Sequence, residues 1–154
     1  MLKEFRRYKM NEKMIAVCSA VGVIGATIAE ALGGWDDAVL TLIIFMAIDF
    51  VMGLLCAMVF GKSNKSANGA LSSAACWKGL VKKVCTLLIV VMSHYIDVIA
   101  DLNFVRNAVV IAFCVAEAIS IMETAGLMGI LPEGVQRVLT KAIDVLKNRN
   151  DHNT

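Results

Sequence analysis

The sequence lacks the short motifs that mark most enzyme active sites and metal sites. It has no GxSxG turn, no HExxH pair, no CxxC pair and no GxxxxGK(S/T) phosphate loop. Its five cysteines are scattered in or beside apolar segments, so they predict neither a disulfide framework nor a zinc site. No aromatic–basic motif indicates nucleic-acid binding. We therefore predict a protein that is not an enzyme and that uses no metal, cofactor or nucleic acid.

Charged residues are also scarce. They make up 18% of the 154 residues, whereas 58% are hydrophobic, and the mean hydropathy is +0.72. Soluble domains are usually less apolar than this. The chain has room for one bundle of three or four helices and no separate catalytic domain.

Four apolar segments approach the length of about 20 residues that a membrane-spanning helix needs. They lie at 14–32, 38–60, 84–100 and 109–128. We predict an all-α integral membrane protein, a bundle of four transmembrane helices with residues 14–128 as its membrane domain. A basic segment precedes that domain at 1–13, and an amphipathic helix with a tail follows it at 129–154.

The first apolar segment leaves alternatives open. Its basic start and small-residue end are also typical of a signal peptide, and cleavage would leave three helices. The segment could equally lie at the membrane interface. Its small residues would otherwise allow close approach to another helix.

The placement of charge predicts the orientation in the membrane. Lysine and arginine are concentrated at 1–13, 61–83 and 129–154. The segment between the first two spans has Asp36 and Asp37 and no base, and the outer end of the third span and the segment after it have Asp97 and Asp101 against a single Arg106. Basic segments stay on the cytoplasmic side. We therefore expect a multi-pass protein of the bacterial cytoplasmic membrane with both termini in the cytoplasm. Three lysines are expected to lie at the membrane surface against anionic headgroups: Lys78, Lys82 and Lys83.

Acidic side chains lie inside the apolar segments. A charge near the bilayer centre costs about 2.5–3.5 kcal/mol on insertion scales, so such residues face a protein interior or water. Asp49 has Gly53 one turn later, which leaves space beside its carboxylate. Helical spacing places other polar residues on shared faces. The residues predicted to line a pore or an assembly surface are Asp49, Gly53, Thr86, Ser93, Asp97, Glu117, Ser120, Glu123 and Thr124.

Five motifs in order resemble one known family. They lie at 33–36 (GGWD), 48–57 (IDFVMGLLCA), 71–73 (LSS), 78–83 (KGLVKK) and 117–125 (EAISIMETA). This set is similar to the phage-lysis and toxin-secretion holins of the fourth phage holin family. The resemblance implies a small membrane protein that assembles with copies of itself and opens a lesion in the lipid bilayer. The lesion would release an endolysin or a large toxin, without direct contact being required.

Two other classes of function remain open. A small ion channel or transporter subunit would use the intramembrane acids to bind cations or relay protons. An anchoring or assembly protein would use them only for packing. A channel passes ions, whereas a holin passes folded protein, so the size of what leaves the cell separates the two.

Overall fold

The computed structural model describes residues 2–63, 72–138 and 140–141, with side chains from residue 12 onward. The long α-helices of these residues are α1 (Leu2–Ala31), α2 (Asp37–Leu55), α3 (Ser73–Ala100) and α4 (Val105–Met128). A π-helical turn, Cys56–Phe60, extends α2 without a break. The described residues contain no strand. All four helices are long and apolar enough to cross a membrane, which confirms the predicted all-α class.

The ends of the helices follow from local chemistry. Asp36 caps α2, since its side chain accepts a hydrogen bond from the Val39 amide at 2.9 Å. Asp101 adopts a left-handed conformation (φ 54°) and ends α3, a conformation that aspartate tolerates better than most residues. Gly129 ends α4 in the same region (φ 75°), where glycine is unstrained.

Helix α3 begins eleven residues before the predicted span, at Ser73 instead of position 84. The intervening residues, SAACWKGLVKK, combine small and apolar side chains with three lysines and contain no proline, the residue that most strongly breaks a helix. At about 1.5 Å per residue, the 28 residues of α3 are roughly 42 Å long, longer than the ~30 Å hydrocarbon layer. Lys78, Lys82 and Lys83 therefore lie within a continuous helix.

Helices α2, α3 and α4 form the packed part of the molecule. α4 packs extensively against α2 and also against α3, whereas α2 and α3 touch little. The shared core is built from apolar side chains: Leu32, Val39, Leu42, Met46, Val90 and Val110. In α1, by contrast, every side chain from residue 12 to residue 28 is exposed. Helix α1, which is long enough to cross a membrane, thus contributes little to the packing of the three-helix bundle.

The bundle has two ends, which we name by their residues. The Arg106 end carries the connections at 32–36 and 101–104, and the Gly61 end carries Gly61 and Gly129. Beyond α4 the backbone is helical at 133–138 and 140–141, in the region of the predicted amphipathic helix. Position 139 and positions 142–154 of that predicted helix and tail lie outside the described residues.

Candidate functional site

Three charged side chains from three helices meet inside the bundle, and we call them the charged centre. The Lys83 Nζ of α3 donates to Asp49 Oδ2 of α2 at 3.0 Å and to Glu117 Oε2 of α4 at 2.6 Å. The exposed fractions of the side chains are 14% for Lys83, 7% for Asp49 and 13% for Glu117. One ammonium therefore bridges two carboxylates in a nearly closed interior.

The charged centre lies at mid-height in the bundle. Asp49 and Glu117 are at the midpoints of the apolar helices Asp37–Phe60 and Val105–Met128. Asp49 continues the buried face of α2 formed by Val39, Leu42 and Met46, at the spacing of one helical face. The apolar pattern that builds the core thus also carries a carboxylate into it.

The arrangement is stable only as a set. Formally the charged centre holds two negative charges and one positive charge. Burying an unpaired charge is costly, and removing one partner of a buried ion pair typically costs about 3–5 kcal/mol. The three helices are therefore linked through Lys83, and separating them in lipid would expose all three charges.

A second polar cluster, the Arg106 cluster, lies at the Arg106 end. The buried Arg106 guanidinium donates to the carbonyl oxygens of Leu32 (2.5 Å) and Gly34 (3.2 Å) and to Asp36 Oδ2 (2.6 Å). The hydrogen bond from Arg106 holds the pKa of Asp36 below its ordinary value. This arginine ties the connection between α1 and α2 to the start of α4.

Asp97 completes the Arg106 cluster from α3. Its two carboxylate oxygens accept hydrogen bonds from the backbone amides of Val105 (3.1 Å) and Arg106 (2.8 Å) and so cap α4. Gly33 lies against the same cluster. A Cβ at Gly33 would come within 2.5 Å of His94 Nδ1 and 2.8 Å of Arg106 Nε, and its φ is 83°. Glycine is therefore required at this turn.

The predicted site residues separate into distinct surroundings. Asp49 and Glu117 meet in the charged centre, and Asp97 caps α4. The hydroxyls of Thr86, Ser93 and Thr124 are buried or partly buried and donate to carbonyls of their own helices. Gly53 and Ser120 are half-buried, whereas Glu123 is exposed.

The lysines require one correction. Lys78 and Lys82 are exposed, but Lys83 is not a membrane-surface residue, because its ammonium points into the bundle and binds both carboxylates. The prediction failed because it began the third span one residue after Lys83. Arg106 and Asp36 were not predicted as site residues, although Arg106 is the single base between the third and fourth spans.

Comparison with known proteins decides the family. The model of the bacteriophage holin family matches residues 26–148, which include the charged centre and the Arg106 cluster. This chain belongs to the bacteriophage holin family. With its four apolar helices, it is a multi-pass membrane protein.

Several relatives share most of the length of this holin-family chain. The uncharacterized protein Lin0175 of Listeria innocua is 32% identical over 77% of this chain and 82% of its own length. A probable holin of Bacillus phage phi105 is 29% identical over 73% of this chain and 76% of its own length. An uncharacterized 14.9 kDa protein of Clostridium perfringens is 25% identical over 75% and 84%, respectively. No solved structure matches the chain.

Proposed function

We propose that this holin-family protein assembles with copies of itself in the bacterial cytoplasmic membrane and opens lesions. Through these lesions an endolysin would reach the cell wall, or a large toxin would leave the cell. The observation that carries the proposal is the family match over residues 26–148, which covers the whole three-helix bundle.

The geometry of the charged centre supports assembly of several copies. In a single chain Lys83 fills the space between Asp49 and Glu117 with contacts of 2.6–3.0 Å, so a folded protein cannot pass between these helices. A wide hole needs many helices around it, each with a polar surface toward water. Asp49 and Glu117 would supply that surface once the bundles open and rearrange.

The same charges would make opening an abrupt event. The charged centre is stable when closed, because the opposite charges pair, and it would be stable in a water-filled lesion, because water solvates each ion. Exposed to lipid alone, each charge would cost about 2.5–3.5 kcal/mol. Partly opened bundles are therefore the unfavourable states, and copies that rearrange together around water avoid them.

Orientation is part of the proposal. The Gly61 end is cytoplasmic and the Arg106 end is external, because lysines flank the former and Asp36 and Asp101 lie at the latter. In a cysteine-free chain, cysteines introduced at positions 36 and 101 should react with an impermeant reagent in intact cells. A cysteine at position 150 should not, and its labelling from outside would contradict the orientation.

The function is tested by co-expression with an endolysin that lacks a signal sequence. Induction should release the endolysin and lyse the cells, whereas a matched plasmid with an early stop codon in this gene should do neither. Release of the enzyme into the medium and culture density are followed together. Ion leakage with full retention of the endolysin would contradict the proposal and favour the channel or transporter alternative.

A further inference from the structure

Two charged side chains in the apolar helices face away from the bundle. Lys82 of α3 and Glu123 of α4 are exposed, although the residues beside them in α3 and α4 line the interior. In the described part of the chain neither side chain takes part in an ion pair. Facing lipid, charged groups at this depth would be costly. An opposite charge supplied from outside the chain would offset that cost.

The two charges lie on the same side of the molecule. Contacts of Lys83 with Glu117, and of Asp97 with the start of α4, show that α3 and α4 are antiparallel. From Lys83 to Lys82 the direction in which the side chain leaves the helix rotates by about 100°. From Glu117 to Glu123 it rotates by about 600°, which is equivalent to about 120° in the opposite sense. Ile111, Cys114 and Ala118 of α4 line a groove against α2 and lie on one side of Glu117, whereas Glu123 lies on its other side. In antiparallel helices the two turns therefore bring Lys82 and Glu123 to one face, opposite α2.

The two charges also converge in depth. The Cα of Lys82 is level with about Glu117, and that of Glu123 lies about 9 Å nearer the Gly61 end, at about 1.5 Å per residue. Side chains lean toward the start of their own helix. Lys82 therefore leans toward the Gly61 end and Glu123 away from it, which brings the ammonium and the carboxylate toward one level.

We propose that this α3–α4 face binds the same face of a second copy of the chain, with Lys82 of each copy paired to Glu123 of the other. A two-fold rotation about the membrane normal leaves each residue at its own depth in the membrane and brings Lys82 of each copy opposite Glu123 of the other. Both ion pairs therefore form at once. The exposed Ala112 and Ala116 of α4 lie on this face and let the helices approach closely. The inference rests on the proposed self-assembly and identifies one of its contacts.

Charge reversal in differently tagged full-length copies tests the pairing. Lys82→Glu copies should associate with one another about tenfold less than the wild type, because glutamates then face one another across the interface. Glu123→Lys copies should behave in the same way. Mixing Lys82→Glu copies with Glu123→Lys copies should restore association, since each interface then regains two opposite-charge pairs. Co-purification of the two tags from membranes without endolysin measures the effect.

The mixture separates pairing between copies from pairing within a chain. If Lys82 and Glu123 paired within one chain, each single variant would carry like charges and mixing would not restore association. That result would overturn the proposal, as would unchanged association in every variant. Rescue by Lys78→Glu in place of Lys82→Glu would also overturn the Lys82 assignment.

Cysteine cross-linking provides a second readout. In a cysteine-free background, a Lys82→Cys copy and a Glu123→Cys copy with different tags should form a mixed disulfide on oxidation. The control replaces Glu123→Cys with Val51→Cys, which lies at similar depth on an exposed side of α2 and should not react. Cross-linking without lysis would refute the proposed function alone, and lysis without cross-linking would refute this interface alone.

Discussion

The two polar clusters of the bundle use charge in different ways. In the charged centre the two hydrogen bonds of Lys83 join charged side chains from different helices, at mid-height among apolar residues. In the Arg106 cluster most hydrogen bonds involve the backbone, and the Asp36 side chain is 46% exposed. The first cluster depends on charge balance, whereas the second depends on fixed hydrogen-bond geometry near water.

This difference separates two structural roles. When one partner is removed from the Arg106 cluster, water at the bundle end can replace part of what is lost. No such replacement is available at mid-height in a closed bundle, where an unpaired charge keeps its full desolvation cost. We infer that the Arg106 cluster fixes the fold of the connections and that the charged centre controls whether the helices stay together.

The largest expected effect comes from Lys83→Met. The substitution keeps the length of the side chain and leaves two carboxylates facing each other, so the unfolding free energy should fall by about 3–5 kcal/mol. Unfolding in detergent and the amount of protein in the membrane measure this. Lys82→Met is the matched control. Lys82 is the exposed neighbour of Lys83, so the loss of its ammonium should change the unfolding free energy by less than about 1 kcal/mol.

A combined variant tests the cause of that loss. Asp49→Asn and Glu117→Gln, added to Lys83→Met, remove all three charges and should recover most of the stability, because neutral groups replace a buried ion set at little cost. An equal loss of unfolding free energy in the single and the combined variant would show that packing, and not charge, stabilises the charged centre.

Arg106→Ala should have the second-largest effect. It leaves the carbonyl groups of Leu32 and Gly34 without their donor and should lower the unfolding free energy by about 1.5–3 kcal/mol, the range for hydrogen bonds to charged groups. Thermal unfolding measures the change. Arg137→Ala is the control, because its side chain is 77% exposed. A loss as large as that of Lys83→Met would break the distinction between the clusters.

Asp49→Asn tests the charge balance of the centre with a smaller change in stability. Lys83 then faces one carboxylate, so the formal charges cancel and stability should change by less than about 1.5 kcal/mol. Under the proposed function the closed bundle no longer holds an excess charge, so lysis should be delayed at equal membrane levels. Asp49→Leu should accumulate equally well and delay lysis at least as much. Normal timing in both variants would assign Asp49 to packing alone.

Part of this structure could be predicted from the sequence. The lengths of the apolar segments predict the four helices. Because a charge in lipid is costly, the positions of Asp49 and Glu117 within these segments predict that both face the protein interior or water. The sequence predicts Lys83 at the membrane surface because it lies in the basic segment 61–83, and basic segments are attracted to anionic headgroups. Which lysine points into the bundle depends on the rotation of α3 about its own axis, and helical periodicity alone does not determine that rotation.

The Arg106 cluster was harder to predict for a different reason. Its partners are backbone carbonyls at Leu32 and Gly34, which any residue type carries, so no side-chain pattern marks them. Asp97 lies on the buried face of α3 with Thr86 and Ser93, and its carboxylate also caps the next helix, which a shared face does not predict. The conformations of the connections between the helices bring Arg106, Asp97 and these carbonyls together. In the sequence, Gly33 indicates a turn there but not which groups the turn brings into contact.

The smallest expected effect is the pH dependence of the Asp36–Arg106 pair. The hydrogen bond from Arg106 lowers the pKa of Asp36 below its ordinary value of 3.8 in the folded protein. A lowered pKa stabilises the fold above the unfolded pKa, and the contribution is lost as pH falls through the folded pKa.

Asp36→Asn keeps a helix-capping side chain but removes the charge, so the wild type should be more stable by no more than about 1 kcal/mol at pH 6. The difference between the thermal midpoints of the two proteins should then shrink below about pH 3.8. Because both proteins share the charged centre, its contribution to stability is the same in both and cancels in this difference. A difference that stays constant to pH 3, or grows, would show that the Arg106 cluster does not depend on the charge of Asp36.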